Sequence, residues 1–379
     1  MPFDSFYQGR RVLVTGDTGF KGSWLASWLT ELGAEVFGLG LPPATDPSLF
    51  DILRLGERIR HTDLDLREPE AVRAHIGEVR PDVVFHLAAQ AIVRLSYRIP
   101  VDTLATNFMG TAHLLDAIRR ADYTPDQACS VVVVTSDKCY DNRETCYAYR
   151  EYDPVGGHDI YSMSKGAAEL LASSWRRSFF APPEGQAPAV RLATCRAGNV
   201  IGGGDWAADR IVVDCMAALT QGQPITIRNP LSIRPWQHVL EPLSGYLQLG
   251  AAMATQPDQA AHLCSAWNFG PGRESQCTVG TLCDAIVRHW GNSSWSHAAE
   301  SDPVHEARFL KLAIDKASHY LGWAPVWGFD TTVEHTVGWY RLAHESGYDT
   351  ATMQRHTYEQ IRQYVADASQ RTVRWTTGL

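Results

Sequence analysis

Two groups of side chains in this 379-residue chain have the types and spacing for chemistry. The first is Ser136-Asp137-Lys138, which follows Thr135 at the end of the apolar run Val131 to Val134. A run of valines predicts a buried strand, and reacting groups in an open α/β sheet lie just beyond the carboxyl ends of its strands. The second is Tyr161 and Lys165, set at helical spacing at the start of an apolar-periodic segment, hence on one helix face. A phenol with a reference pKa of about 10 is a poor base at neutral pH. A neighbouring ammonium favours the phenolate and brings it towards working range. Tyr-x-x-x-Lys is common on ordinary helices, so its meaning depends on the elements around it.

Those elements read as strand and helix in alternation. Arg11–Thr15 is a short apolar strand, followed by Gly16-Asp-Thr-Gly19-Phe-Lys-Gly22 and a helix with Leu25, Trp28, Leu29 and Leu32 on one side. Strand, glycine turn and helix form the context of a dinucleotide-binding fingerprint, with the helix N-terminus facing the phosphates. Asp17 sets a negative charge where a pyrophosphate would lie, unless it points outward or Lys21 offsets it. The second strand, Glu35 to Leu41, ends with neither the acid that holds an adenosine ribose nor an arginine for a 2′-phosphate. Asp65, after a third strand, is placed to meet the adenine amino group. Ala88 and Ala89, after a fourth, let a cofactor lie against the backbone.

Residues 100–120 predict one long helix with Leu104, Phe108, Leu114, Leu115 and Ile118 on its apolar side, and the helix after Tyr161 has a similar stripe. Two such helices on one flank suit a homodimer through a four-helix interface, or a tetramer built on it; packing against the sheet explains the stripes equally well. After about residue 200 the alternation gives way to short strands and helices, a smaller carboxy-terminal lobe. The helix from Ala351 reads as a polar appendage, with a frayed end from Thr372.

Composition narrows the function classes. The chain is 45% hydrophobic, with a net charge of −8 and no basic cluster, which argues against nucleic acid or an anionic membrane as partner. No apolar run approaches the roughly 20 residues that span a bilayer, and the N-terminus lacks a secretory pattern. The eight cysteines include no C-x-x-C pair and no zinc spacing. A cytoplasmic, reduced protein without a metal is expected.

Taken together, the glycine fingerprint, HLAA at the fourth strand, T-S-D after the next and Y-x-x-x-K beyond resemble the extended short-chain dehydrogenase/reductase family over nearly the whole chain. The runs TGDTGFKGSWL, FHLAAQAIVRLSY, TSDKCYDN, GGHDIYSMSKGAAEL, IRPWQHVLEPLSGYL and HEARFLKL look like its CDP-glucose 4,6-dehydratase branch, which serves dideoxyhexose synthesis. The resemblance implies an α/β fold: a Rossmann-type doubly wound parallel sheet with a smaller mixed α/β substrate lobe. Residues 1–200 would be the dinucleotide domain carrying the catalytic residues, with parts of 235–270 returning to it. Residues 201–350 would mainly bind the nucleotide sugar, and 351–379 would be a helix and tail.

The same resemblance implies NAD as cofactor, NADP not being excluded, held by Gly16, Thr18, Gly19, Phe20, Lys21, Gly22, Asp65, Leu66, Leu87, Ala88, Ala89 and Thr106 with Tyr161 and Lys165. Tyr161 takes the O4 proton as C4 is oxidised, Ser136 hydrogen-bonds O4, and Lys165 binds the ribose and lowers the phenol. Asp137 is the acid at O6. Lys138 stands where other dehydratase branches carry a glutamate that removes the C5 proton. It is either the C5 base or an electrostatic stabiliser of the enolate. Gln90 and Arg94 border the sugar, and Asn199, Arg210, Arg234 and Arg308 are the diphosphate candidates. Departures from the branch are Thr145-Cys-Tyr-Ala-Tyr where tryptophans are usual, Met163 within a serine run, and Arg308 for a histidine. A 4-epimerase, a 4-keto reductase and a non-catalytic dinucleotide-binding regulator are the rival readings.

Overall fold

The computed structural model describes residues 2–182, 185–291, 293–298 and 309–378. Its centre is a seven-stranded parallel sheet built from β1 (Arg11–Thr15), β2 (Glu35–Gly40), β3 (Arg60–Asp63), β4 (Val83–His86), β5 (Cys129–Val134), β6 (Val190–Arg196) and a last strand, Ala266–Asn268. Their spatial order is the last strand, β6, β5, β4, β1, β2, β3. The order reverses between β1 and β4, which pair in register from Val12 with Val83 to Thr15 with His86. A doubly wound sheet opens its ligand crevice at that reversal, beyond the strand ends.

Both faces of the sheet are covered, and the valine run shows why it contains no polar residue. Val132 and Val134 face a core shared with helix α1 (Phe20–Glu31) and the helix Leu240–Thr255. Val131 and Val133 face the opposite core, with Val72 and Ile76 of the helix Pro69–Val79, Leu114 and Ile118 of Gly110–Arg119, and Ala172 of Ile160–Ser178. A strand buried on both sides has no position where a polar side chain escapes desolvation.

The long helix expected over 100–120 is interrupted. Pro100–Leu104 and Gly110–Arg119 are joined by a wider π-turn at Ala105–Met109. Val101 and Met109 are exposed on this interrupted helix, and Leu170 is exposed on the helix Ile160–Ser178. Between residues 200 and 300 the chain forms three two-stranded ribbons, pairing Gln237–His238 with Val200–Ile201, Gln276–Thr278 with Ile233–Pro235, and Trp295–His297 with Ile225–Ile227. Among the described residues no helix is long and apolar enough to cross a membrane.

The carboxy-terminal segment is not the polar appendage expected. Thr350–Gln370 is a helix that buries Met353, Tyr358, Ile361, Tyr364 and Ala368. Nor is the end frayed: Arg374–Thr377 forms a helical turn and Trp375 is fully buried. Its ring stacks on Phe3 at 5.0 Å and meets Trp28 edge-on at 6.0 Å, so the two ends of the chain close one core over α1. Trp375→Ala should cost about 3–5 kcal/mol in denaturant unfolding. A loss below about 1 kcal/mol, as at a surface site, would contradict this packing.

Candidate active site

β1 delivers the chain into the glycine turn. Gly16 has φ of +74°, and a Cβ there would lie 2.7 Å from the backbone of Ala88, so turn and fourth-strand loop touch main chain to main chain. A Cβ on Gly22 would come within 2.0 Å of the Gly16 carbonyl, which fixes how closely α1 approaches the turn. Gly19 caps α1 without a side-chain hydrogen bond, leaving the first N–H groups of the helix directed at the crevice. Anion-binding N–H groups beside a turn that only glycine can make fit a dinucleotide pyrophosphate. Leu87 and Ala88 are tied back to β1 by bonds from their N–H groups to the Thr15 carbonyl and hydroxyl, at 3.1 and 3.2 Å. Thr18 donates to the Leu41 carbonyl, and Phe20 and Ala89 are half-buried at the same edge.

Asp17 is resolved in a way that neither alternative from the sequence contains. Its carboxylate is fully buried, turned away from the phosphate cradle, and held 2.6 Å from His61 Nδ1. Burial raises the Asp17 carboxyl, and the His61 charge and hydrogen bond oppose that rise. Burial draws His61 down, but its bonds to Asp63 and Asp17 outweigh this and lift it overall. The space for the carboxylate comes from the second strand, where a Cβ on Gly38 would lie 2.0 Å from Asp17 Oδ2. Lys21 therefore does not offset Asp17. Its half-buried ammonium donates to the hydroxyl of the buried Tyr246 at 3.0 Å. Burial first, then Lys165 and Arg210, draw Lys21 down to about 7.

At the adenine end, Asp65 is occupied by Arg67, which approaches it to 2.7 Å. Leu66 is buried, and its carbonyl accepts from His113 at 2.8 Å. The π-turn sets half-buried Thr106 beside Asn107, a residue the sequence reading passed over. Asn107 is buried and bonds both backbone groups of Gln90 and the hydroxyl of Ser164, at 2.8 to 3.0 Å. It thus ties the fourth-strand loop to the helix of Tyr161; an asparagine inside an apolar stripe was the available signal. Alongside it, His86 bridges Thr15 and Thr111 at 2.7 and 2.9 Å. Burial and then Lys165 bring this histidine down to about 3, so it stays neutral.

The candidate reacting groups converge at the end of β5. Asp159 caps the helix Ile160–Ser178 through the Ser162 N–H and hydroxyl, and this sets Tyr161 and Lys165 in its first turns. Tyr161 is buried; burial pushes its phenol up to about 12, and the nearby Ser136 hydroxyl pulls it back. Lys165 is not among the groups that move the phenol in this geometry. Its ammonium is buried, bonds the Val134 carbonyl at 3.3 Å, and is drawn down to about 8 by that burial. In this geometry the Ser136 hydroxyl donates to Asp137 at 2.9 Å, and Asn199, at φ of +50°, reaches the other Asp137 oxygen at 3.3 Å. Asp137 is buried while the neighbouring Lys138 is exposed. Of the expected substrate groups, the Gln90 amide donates to Thr103 at 3.0 Å and its oxygen accepts from the Ile92 N–H at 2.6 Å. Arg94 lies 3.9 Å from Asp209 and Arg210 pairs with Asp205 at 2.6 Å, both on one short loop. Arg234 is half-buried in Ile233–Pro235, and Arg308 lies outside the described residues.

A crevice with a phosphate cradle on one side and a Ser–Tyr–Lys set with a buried acid on the other is suited to oxidation and reduction at a sugar carbon. The sequence model for the GDP-mannose 4,6 dehydratase family matches residues 13–336. The chain belongs to that family. Within this dehydratase family it is similar to a CDP-glucose 4,6-dehydratase of Salmonella typhimurium, at 50% identity over 89% of this chain and 92% of that protein. It is also similar to a dTDP-glucose 4,6-dehydratase of Haemophilus influenzae, at 24% identity over 87% of this chain and 97% of the other. Among solved structures, DesIV, a dTDP-glucose 4,6-dehydratase from Streptomyces venezuelae with NAD and TYD bound, superposes with a TM-score of 0.71. It shares 20% identity and covers 87% of this chain and 96% of its own. An epimerase from Methanothermobacter thermautotrophicus reaches 0.74 at 23% identity, covering 91% and 96%. At such identities the superpositions carry the fold, and the fold is common to dehydratases and epimerases alike.

Proposed function

We propose that this protein converts CDP-D-glucose to CDP-4-keto-6-deoxy-D-glucose and water. The observation that carries this reading beside the 50% relative is the buried Asp137 next to Ser136 and Tyr161. A carboxyl group there serves to protonate a leaving hydroxyl, which a 4-epimerase does not expel. Bound on the glycine cradle, a nicotinamide dinucleotide would supply hydride chemistry, accepting the C4 hydrogen with its electron pair and returning both to C6. The chain's residues handle protons and charge. Tyr161 accepts the O4 proton with Ser136 steadying its phenolate, and Lys165 supplies positive charge and holds the ribose. Asp137 delivers a proton to the departing C6 hydroxyl as the C5 proton, acidified by the 4-keto group, is lost at Lys138, either to its amine or to water beside its charge. C5 regains a proton as hydride returns to C6. Lys21, Arg94, Arg210 and Arg234 supply positive charge around the two diphosphates, and Asn199 orients Asp137. NAD is favoured over NADP, because the second strand is followed by no basic residue for a 2′-phosphate.

The direct test is incubation of the protein with CDP-, dTDP-, UDP- and GDP-glucose, with NAD or NADP added, following the 4-keto sugar by its absorbance in alkali. CDP-glucose with NAD should react fastest. Faster turnover of another nucleotide, or a tenfold preference for NADP (about 1.4 kcal/mol), would overturn the assignment.

Lys138 belongs to the elimination half, since it follows Asp137 directly and is free to reach into the crevice from an exposed position. Lys138→Ala and Lys138→Met should leave C4 oxidation largely intact and stop water loss, so that reduced nicotinamide absorbance accumulates in a single turnover. Recovery in Lys138→Glu would mean that the position needs a base, and no recovery that it needs a cation. Elimination at the native rate in Lys138→Ala would remove the residue from the mechanism.

A further inference from the structure

Next to the Tyr161–Lys165 pair lies a buried polar knot that the reaction outlined above does not use. Glu169 follows Lys165 by one helical turn and is buried. One of its carboxylate oxygens accepts from Thr135 Oγ1 at 2.5 Å. The other accepts from Thr194 Oγ1 at 2.7 Å and from Arg196 Nη2 at 2.8 Å. Arg196 is buried as well and reaches on to the Tyr140 hydroxyl at 2.7 Å and the Glu151 carbonyl at 3.2 Å. Tyr140 in turn donates to Asn268 Oδ1 at 2.8 Å. One carboxylate thereby joins the end of β5, immediately before Ser136, to β6 and to the helix of Tyr161. Through Arg196 it also reaches the loop after Lys138 and the last strand.

The second feature is what Glu169 leaves alone. Both of its oxygens are committed to Thr135, Thr194 and Arg196, and the Lys165 ammonium bonds the Val134 carbonyl instead. The carboxylate acts on Lys165 through space while the ammonium keeps donors for a ligand. We propose that Glu169 is a positioning residue for this reaction: it fixes Tyr161 against Ser136 and keeps Lys165 protonated without pairing with it. The proposal rests on the dehydratase reading only in taking Tyr161 and Lys165 as the reacting pair.

The charges around Lys165 leave this task to Glu169. Facing the ammonium are Cys139 from the turn after β5, His86 from β4, Lys21 from α1 and Glu169 from its own helix. Burial draws Lys165 down to about 8, and Cys139 and Glu169 are the groups that hold it up. Burial raises the Cys139 thiol well above its ordinary value, so it is neutral, as is His86, and Lys21, drawn down to about 7, gives up its proton before Lys165 does. Around Glu169 stand Arg196 and Cys195 of β6, Arg176 of its own helix, Cys139, Thr135 and Thr194. Burial raises its carboxyl, but Arg196 and the hydroxyl bonds outweigh that and hold it ionised. The sign follows directly. Without the Glu169 charge Lys165 loses its proton at lower pH, and whatever needs the ammonium fails earlier as pH rises.

The test is Glu169→Gln, read in calorimetric titration with NAD from neutral to alkaline pH and in the pH profile of kcat. Both alkaline limbs should move down by about one unit, with Glu169→Asp restoring the limb at a lower kcat. If Glu169→Gln does not fold, the amide pair Glu169→Gln with Arg196→Gln leaves no buried charge unpaired and should show the same shift. A fold clamp alone would lower the melting temperature and leave both limbs where they are; that result would overturn the proposal. A shifted NAD limb in a protein that makes no 4-keto sugar would support Glu169 and count against the dehydratase reading.

Discussion

The site depends on one ammonium kept in a dry place. Lys165 is buried at the carboxyl end of β5, where its neighbours of either sign are buried too. Desolvation works against the charged form of a lysine, and it also strengthens every charge acting on that lysine. The fold supplies the dryness through β5, whose four valines are covered on both faces, and through the neutral His86 of β4, locked between β1 and the helix Gly110–Arg119. An exposed Lys165 would need no such arrangement to keep its charge.

Local features of this design were legible in the chain before any fold was known. The strand, glycine turn and helix at the start, the valine run and the Tyr161–Lys165 spacing all depend on residues within a few positions of one another. The groups that were missed depend on partners far apart. Asp17 meets His61 44 positions on, and Glu169 meets Arg196 27 positions on. A trace of the first was nonetheless present, since Gly38 inside an apolar strand signals a close approach, here by the Asp17 carboxylate. The misread carboxy-terminal helix is a different lesson. Its mean polarity concealed a regular stripe of Met353, Thr357, Tyr358, Ile361, Tyr364 and Ala368, all buried. Periodicity outweighs composition in deciding which helices pack.

Asp137 and Lys138 show how one short turn separates two environments. The carboxylate faces inward, held by Ser136 and Asn199, while the next side chain stands exposed at the crevice. Adjacent residues in a tight turn point to different surroundings, so an acid and a cation can sit side by side without neutralising each other. On the loop from Asp205 to Arg210 acids and cations do meet, with Asp209 near Arg94 and Asp205 paired with Arg210.

The central claim is that oxidation at C4 and reduction at C6 belong to one enclosed, redox-neutral cycle. Deuterium placed at C4 of CDP-glucose measures this most directly. The label should be recovered at C6 of the 4-keto-6-deoxy product, with no net consumption of dinucleotide. Deuterium found in released reduced dinucleotide, with none at C6, would show a net oxidoreductase and contradict it.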